Sequence, residues 1–241
     1  METAGYVTLS RQTGLWREMQ VVANNVANLS TTGFRREGVV FTEMVQALPN
    51  EGGGVAMAAA RARFSDPTQG AVNQTGNPLD LAIQGRGYFM VETAEGNRLT
   101  RAGAFALNTE SEIVNPDGLR LLDIGGAPIF IPPDAETVSI SQDGTLSADE
   151  SPLAQIGVFE VEDAEALSRQ HGTLFDPRGE EPLALETAVI LQGFTEGSNV
   201  SPVTEMARMI EVQRTYEMGM KFLENEHERI RNVTRTLGQR A

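Results

Sequence analysis

The chain contains no cysteine, which excludes disulfides, thiolate metal sites and thiol nucleophiles. Histidine is scarce: His171 and His227 are the two in 241 residues. His171 lies near Asp176, and His227 lies among Glu224, Glu226 and Glu228. Neither has a second histidine nearby, and no zinc-ligand spacing appears, so a solvated acidic face accounts for the second cluster. Aromatic residues make up 6%, so any core must be mostly aliphatic. Basic residues are outnumbered, Lys+Arg 19 against Asp+Glu 33, for a net charge of −14. Such a surface repels phosphate backbones, and no nucleic-acid partner is expected. No run approaches the roughly 20 apolar residues of a membrane-spanning helix, and no basic amphipathic helix favours membrane adsorption; direct membrane insertion is not expected. The opening Met1-Glu2-Thr3-Ala4-Gly5-Tyr6 has neither a basic n-region nor an unbroken apolar run, unlike a signal peptide.

Catalytic signatures are missing as well. Gly85-Arg86-Gly87 could open a dinucleotide loop, but Met90 stands where the third glycine belongs and strand residues follow instead of a helix. A β-turn is the better reading. No Gly-x-Ser-x-Gly elbow occurs, and carboxylates such as Asp143 and Asp149 sit in turns. No cofactor, no metal and no enzymatic activity is expected.

What is present begins with a helix predicted over residues 3 to 31. Leu15, Met19, Val22, Val26 and Leu29 recur at steps of four and three. A second stripe runs beside it through Tyr6, Leu9, Thr13, Trp16, Gln20, Ala23 and Ala27, so the helix expects contact on more than one side. Asn24, Asn25 and Asn28 weaken a helix interior, because an amide side chain competes for backbone hydrogen bonds. They make sense if their amides bond other chains or segments. Gly33 suits the left-handed position that ends a helix, with Phe34 folding back on the last turn.

Between residues 35 and 64 the pattern is lost. Phe41, Met44 and Val45 allow one more helical turn, Pro49 to Gly54 breaks regular structure, and the alanine-rich Val55 to Ala62 is ambiguous. The region is expected to be an extended, flexible connection. From Phe64 onward short strands alternate with Gly, Asp and Asn turns: Leu79–Ile83, Tyr88–Glu92, a hairpin through Glu95-Gly96-Asn97 into Arg98–Arg101, and runs flanking Asp143-Gly144. Ile156 to Val161 is a further strand, and Asp163 to Gln170 is predicted as a short acidic helix capped by Asp163. These imply an antiparallel sandwich or irregular barrel.

The chain returns to helix at its end. Ser198 or Ser201 can cap it, with Pro202 in the first turn and Glu205 as capping-box partner. Met209, Val212, Tyr216, Gly219, Leu223, Glu226, Ile230, Val233 and Leu237 fall on a heptad seam, and Met206, Ile210, Gln213, Glu217 and Met220 on a second stripe. At 1.5 Å per residue the helix is roughly 55 Å long. The fold class is therefore α+β: long N- and C-terminal helices pairing as a coiled-coil-like layer, with a central antiparallel β-domain. The expected division is an N-terminal helix over 1–34, the connection over 35–64, the β-domain over 65–195 and the C-terminal helix over 196–241.

Ala23-Asn24-Asn25-Val26-Ala27-Asn28, followed by Thr32-Gly33-Phe34, resembles the motif of bacterial flagellar axial proteins, the rod, hook and hook-associated family. Gln69-Gly70, the run from Thr75 to Phe89, Thr100 to Phe105 and Asn115-Pro116-Asp117-Gly118 are similar to the family's second signature. Ser111 departs from it where glycine is common, which counts against a φ > 0 backbone at that turn. Ser198-Asn199-Val200, Glu205, Met209-Ile210 and Gln213-Arg214 with Tyr216-Glu217 are similar to its C-terminal signature. Within the family, the opening Tyr6 to Gln12 and the run Gln192 to Val203 resemble the proximal-rod branch, with the distal rod as nearest competitor.

The resemblance implies a structural subunit that transmits motor torque, with the terminal helices in an inner layer and the β-domain further out. It implies copies of itself and other proximal and distal rod proteins as partners. It also implies passage through the flagellar type III export apparatus and residence in the periplasmic rod. Asn24, Asn25, Ala27, Asn28, Thr32, Gly33 and Phe34 would form the assembly motif, and Met209, Val212, Tyr216, Leu223, Ile230, Val233 and Leu237 the packing seam. Two alternatives are open: the seam closes within the chain against the N-terminal helix, or the β-domain is a peptidoglycan- or glycan-binding module carried on helices.

Overall fold

The structure is a computed structural model that describes residues 2–47, 54–162, 167–185 and 187–238. The chain is α+β, with a helix near each end and antiparallel strands between them. It divides into two compact units built from separated stretches. One takes Met1–Ala27, Glu37–Phe64 and Ser201–Ala241, the other Asn28–Arg36 and Ser65–Val200.

The helical unit contains α1 (Glu2–Ala27), β1 (Glu37–Ala47), β2 (Gly54–Ser65) and α2 (Pro202–Gly238). α1 and α2 run antiparallel. Gln12 Nε2 donates to the Tyr216 carbonyl at 3.1 Å, Arg208 Nε donates to Glu18 Oε1 at 2.6 Å and Asn25 Nδ2 to Glu205 Oε2 at 3.1 Å. The partners thus ascend on one helix and descend on the other. Leu15 and Val22 are buried on α1, as the first apolar stripe requires, and Val212 is buried on α2. Gly219 lets the helices approach: a Cβ there would stand 1.8 Å from Gln12 Nε2 and would displace the amide that bonds Tyr216.

Two sequence expectations are corrected here. α1 stops at Ala27 rather than at residue 31. Asn28 leaves the helix because its Oδ1 accepts the Thr31 hydroxyl at 3.0 Å, a local bond that competes with continued helix. Phe41, Met44 and Val45 belong to β1 rather than to a helical turn, in a run where Val39, Val40, Thr42 and Val45 favour the extended backbone. The ambiguous stretch from Val55 to Ala62 lies within β2. Phe64 occupies the space a side chain at Gly38 would need, with its ring 2.3 Å from the Cβ position.

The β-unit holds β3 (Val72–Gln74), β4 (Leu81–Gln84), β5 (Tyr88–Thr93) and β6 (Gly96–Thr100), followed by short strands up to Phe194–Glu196. The largest sheet runs through 168–169, 174–176, β6, β5, 120–121, 113–114 and 106–107, with 158–160 also paired to β5. β5 is its centre. Successive residues of a strand face opposite sides, and both sides of β5 are covered. Phe89 and Val91 enter one core with Leu121 and Ile129, while Met90 enters a second with Leu99 and Phe175. This is why Phe89-Met90-Val91 is apolar without alternation.

The turn between β5 and β6 lies at Ala94-Glu95, one position before the expected one, since Thr93 pairs with Gly96. Ser111 adopts φ 63 despite its side chain. Asn108 Oδ1 holds that loop by accepting the Glu110 and Glu112 amides, both at 2.9 Å. An Asx-type bridge of this kind supplies what glycine supplies elsewhere. The acidic helix expected from Asp163 does not continue to Gln170. Residues 163–166 lie outside the described residues, and Ser168–Arg169 is a strand paired with Phe175 and Asp176.

Gly33 is bound by its surroundings as well as by its backbone. It has φ +68, and a Cβ would lie 2.2 Å from the Ala102 backbone nitrogen. Gly118 has φ +78 but nothing within 4 Å. Gly118→Ala is therefore expected to cost about 1 kcal/mol of backbone strain. Gly33→Ala adds backbone overlap and should exceed about 2 kcal/mol. Urea-unfolding midpoints at unchanged slope would measure both; equal costs would contradict the contact at Ala102.

Candidate functional site

Within the β-unit one carboxylate holds together three distant parts of the chain. Glu196 Oε1 stands 3.0 Å from Arg35 Nη1, and its Oε2 stands 2.9 Å from Arg101 Nη2. All three side chains are almost wholly buried. Glu196 Oε1 also accepts the Gly70 amide at 3.0 Å, while the Glu196 carbonyl accepts the Gly33 amide at 2.7 Å. Arg101 donates onward to the carbonyls of Gly87 and Gly85 at 2.8 and 2.7 Å, and Arg35 donates to that of Thr68.

Asn199 adds a second stitch three residues later. Its Oδ1 accepts the Arg36 amide at 2.5 Å, its own amide donates to the Phe34 carbonyl at 3.3 Å, and its Nδ2 donates to the Thr68 carbonyl at 2.8 Å. Phe34 is buried under the Arg169 guanidinium, 4.3 Å from its ring centroid, and Arg169 Nη2 donates to the Arg35 carbonyl at 2.5 Å.

Burial pushes the Arg101 pKa down, against the attraction of Glu196, and burial pushes the Tyr88 phenol up. A guanidinium nevertheless stays protonated in a protein. The cluster is thus a buried cation–anion–cation triad. Such a triad adds little stability over an apolar core, but losing one partner leaves the others as uncompensated buried charge.

In the helical unit Asn25 plays the corresponding part. It is fully buried, donates from Nδ2 to the Glu37 carbonyl at 2.9 Å and to Glu205 at 3.1 Å, and accepts the Glu37 amide at 2.9 Å. One amide side chain therefore ties α1, β1 and the first turn of α2. Asn24 Nδ2 donates to Glu37 Oε2 at 3.3 Å. The remaining motif residues divide. Gly33 and Phe34 are buried, Asn28 and Thr32 half-buried, and Ala27 exposed. Asn24 and Asn25 thus bond other segments of the same chain, and Asn28 bonds Thr31 beside it.

The N-terminal half of the seam on α2 is covered inside the unit. Val212 is buried; Met209, Tyr216 and Leu223 are half-buried; Tyr216 lies 6.4 Å from the Trp16 ring. Ile230 is 50% exposed, and Val233 and Leu237 lie on the last turns of α2. The second stripes are the uncovered ones. On α1 Leu9 and Trp16 are more than half exposed, with Thr13, Gln20, Ala23 and Ala27 exposed beside them; on α2 Met206, Ile210 and Met220 are exposed, as is Met218.

Three segments match models of flagellar families: residues 6–35 the flagella basal body rod protein, 82–148 the D1 domain of the flagellar hook protein FlgE/F/G, and 191–236 the C-terminal part of the flagellar basal body rod FlgEFG protein. The flagellar basal-body rod protein FlgF of Mesorhizobium japonicum is 35% identical over the whole of both chains, and that of Caulobacter vibrioides 37% identical over 99% of each. The flagellar basal-body rod protein FlgG of Agrobacterium fabrum is 31% identical over 91% of this chain and 93% of its own. The chain belongs to the flagellar basal-body rod protein family. Each matched segment of this rod protein supplies one member of the buried triad: Arg35 the first, Arg101 the second and Glu196 the third.

Sequence reasoning found the motif segments but not these charged residues. Arg101 ends an expected strand and Glu196 stands in a run of glycine, serine and asparagine, and nothing in a single sequence pairs them. Their signal was weak: a lone charge within a run whose neighbours have conformational roles.

Glu196→Gln is expected to cost about 3–5 kcal/mol, because both arginines lose their counter-charge. Asn25→Ala should cost about 3 kcal/mol through the lost bonds to Glu37 and Glu205. Asn24→Ala, which removes one long bond, should stay within about 1 kcal/mol. Urea unfolding of the four proteins checks the order; an Asn24 effect equal to that of Asn25 would contradict the assigned bonds.

Proposed function

We propose that this rod subunit builds the proximal part of the flagellar rod by packing the second stripes of α1 and α2 against neighbouring subunits. The carrying observation is that each helix covers one apolar stripe within the chain and leaves another in solvent. Trp16 and Leu9 on one helix and Met206, Ile210 and Met220 on the other are about half exposed or more. Apolar side chains exposed in a row on both helices support an interaction site. Since the two stripes differ in composition, the contact is heterologous: one face meets a different face of the next subunit, which generates a helical assembly.

On this reading the neighbours are copies of the same chain and the other proximal and distal rod proteins, and the helices join those of adjacent subunits in a coiled-coil-like layer. The end-to-end similarity to FlgF proteins supports the proximal position over the distal one. The subunit leaves the cytoplasm through the flagellar type III export apparatus, resides in the periplasmic rod and carries torque mechanically, without catalysis. Ala23 and Ala27 give the α1 face a small surface that admits a close neighbour. Asn24 and Asn25 hold that helix in place from within.

Trp16→Glu and Ile210→Glu change exposed positions, so each should shift the stability of the isolated chain by no more than about 0.5 kcal/mol. Both should abolish rod assembly and swimming. Ala27→Leu should do the same by overfilling the contact, at about 1–3 kcal/mol per interface. Basal-body yield and motility measure the effect; wild-type swimming by all three would contradict the reading.

A further inference from the structure

A pocket of about 410 Å³ opens in the β-unit against the buried triad, with Arg35, Arg101 and Tyr88 in its wall beside Arg86, Glu160 and Glu162. Arg35 and Arg101 are 3% and 2% exposed and share the one carboxylate of Glu196. The three groups together carry one net positive charge where water scarcely reaches. Their other side-chain hydrogen bonds go to neutral carbonyls of Thr68, Gly85 and Gly87, and the Nε of each arginine has no hydrogen-bond partner.

A buried cation in excess is unfavourable and calls for a second anion. Asp66 lies within electrostatic reach of Arg35 but its carboxylate holds the Thr68 amide and hydroxyl, and the acids of the wall do not supply the charge either. Glu160 stands 4.0 Å from Arg86, and among the described residues neither Glu160 nor Glu162 forms an ion pair with Arg35 or Arg101.

We propose that this pocket receives a carboxylate side chain from a neighbouring rod subunit, which completes the Arg35–Glu196–Arg101 triad across the subunit boundary. Only the source of the carboxylate rests on the rod reading above; the anion site rests on the cluster itself. Guanidinium groups match the planar carboxylate, and the pocket volume suits a side chain. Glu160 and Glu162 on the wall repel a multiply charged phosphate more than a single carboxylate. The chain offers carboxylates in excess, Asp+Glu 33 against Lys+Arg 19, so each copy presents candidates to the next.

Acetate, titrated into isotope-labelled full-length protein at constant ionic strength, is the probe, with chloride as control. The expected result is a saturable shift of the Arg35 and Arg101 Nε–H resonances with acetate alone. Arg86 has a side chain 89% exposed, so Arg86→Glu keeps the fold while it reverses a charge on the wall. It should weaken acetate binding about tenfold. In basal bodies, Arg86→Glu rods should come apart at lower salt than wild-type or Arg86→Lys rods. No saturable shift with acetate overturns the site, even if rods form normally and the rod reading stands. Acetate binding together with Arg86→Glu rods of wild-type salt resistance overturns the neighbouring subunit as the source.

Discussion

The β-unit depends on a carboxylate shared by two arginines. Glu196 lies in the segment that leads into α2, Arg35 in the segment that follows α1, and Arg101 after the central hairpin of the sheet. Stretches far apart in sequence are therefore brought into one dry cluster whose members cannot be removed singly without stranding the rest. A rod subunit must transmit force along defined directions, and the segments that adjoin its terminal helices need fixed positions. An ion triad with backbone stitches from Asn199 and Gly33 supplies that fixity better than apolar packing, which is non-directional. The same principle operates in the helical unit, where the buried amide of Asn25 sets α1, β1 and α2 by directed hydrogen bonds.

Much of this was legible before any coordinates. Helices have a long periodic signal, and both terminal helices follow from it. The Asp143-Gly144 hairpin follows from turn chemistry, with Val138–Ile140 and Thr145–Ala148 paired antiparallel. What was not legible turns on non-local competition. Asn28 ends α1 early through a single side-chain bond to Thr31. Ser111 holds a positive φ because Asn108 braces its loop, a compensation that one residue type cannot announce. Phe41 to Val45 satisfy helical and extended patterns alike, and pairing between strands decides. The charged triad was hidden for a related reason: its members are separated by the length of the β-unit, and opposite charges in a sequence carry no label of partnership.

On the proposed reading, in which α1 packs one stripe within the chain and offers the other to a neighbour, Asn24 and Asn25 have a purpose at the helix end. An assembly helix must hold its own orientation while it presents a second face outward. Asn25 and Asn24 bond inward to Glu37 and Glu205, and this leaves the Ala23–Ala27 edge uncluttered. Hydrophobic side chains alone would not discriminate between the face meant for the chain and the face meant for its neighbour. Polar groups with fixed partners do, because a buried amide tolerates few arrangements.

The most direct measurement is hydroxyl-radical footprinting of methionine and tryptophan side chains, in the free chain and in isolated basal bodies. Trp16, Met206, Met218 and Met220 are all exposed in the free chain, whereas Met90 is buried in the β-unit and serves as an internal reference. Assembly through the second stripes predicts strong protection of Trp16, Met206 and Met220 in the rod, with Met90 unreactive in both states. If Trp16, Met206 and Met220 react in the rod as readily as in the free chain, the stripes do not form the subunit contact.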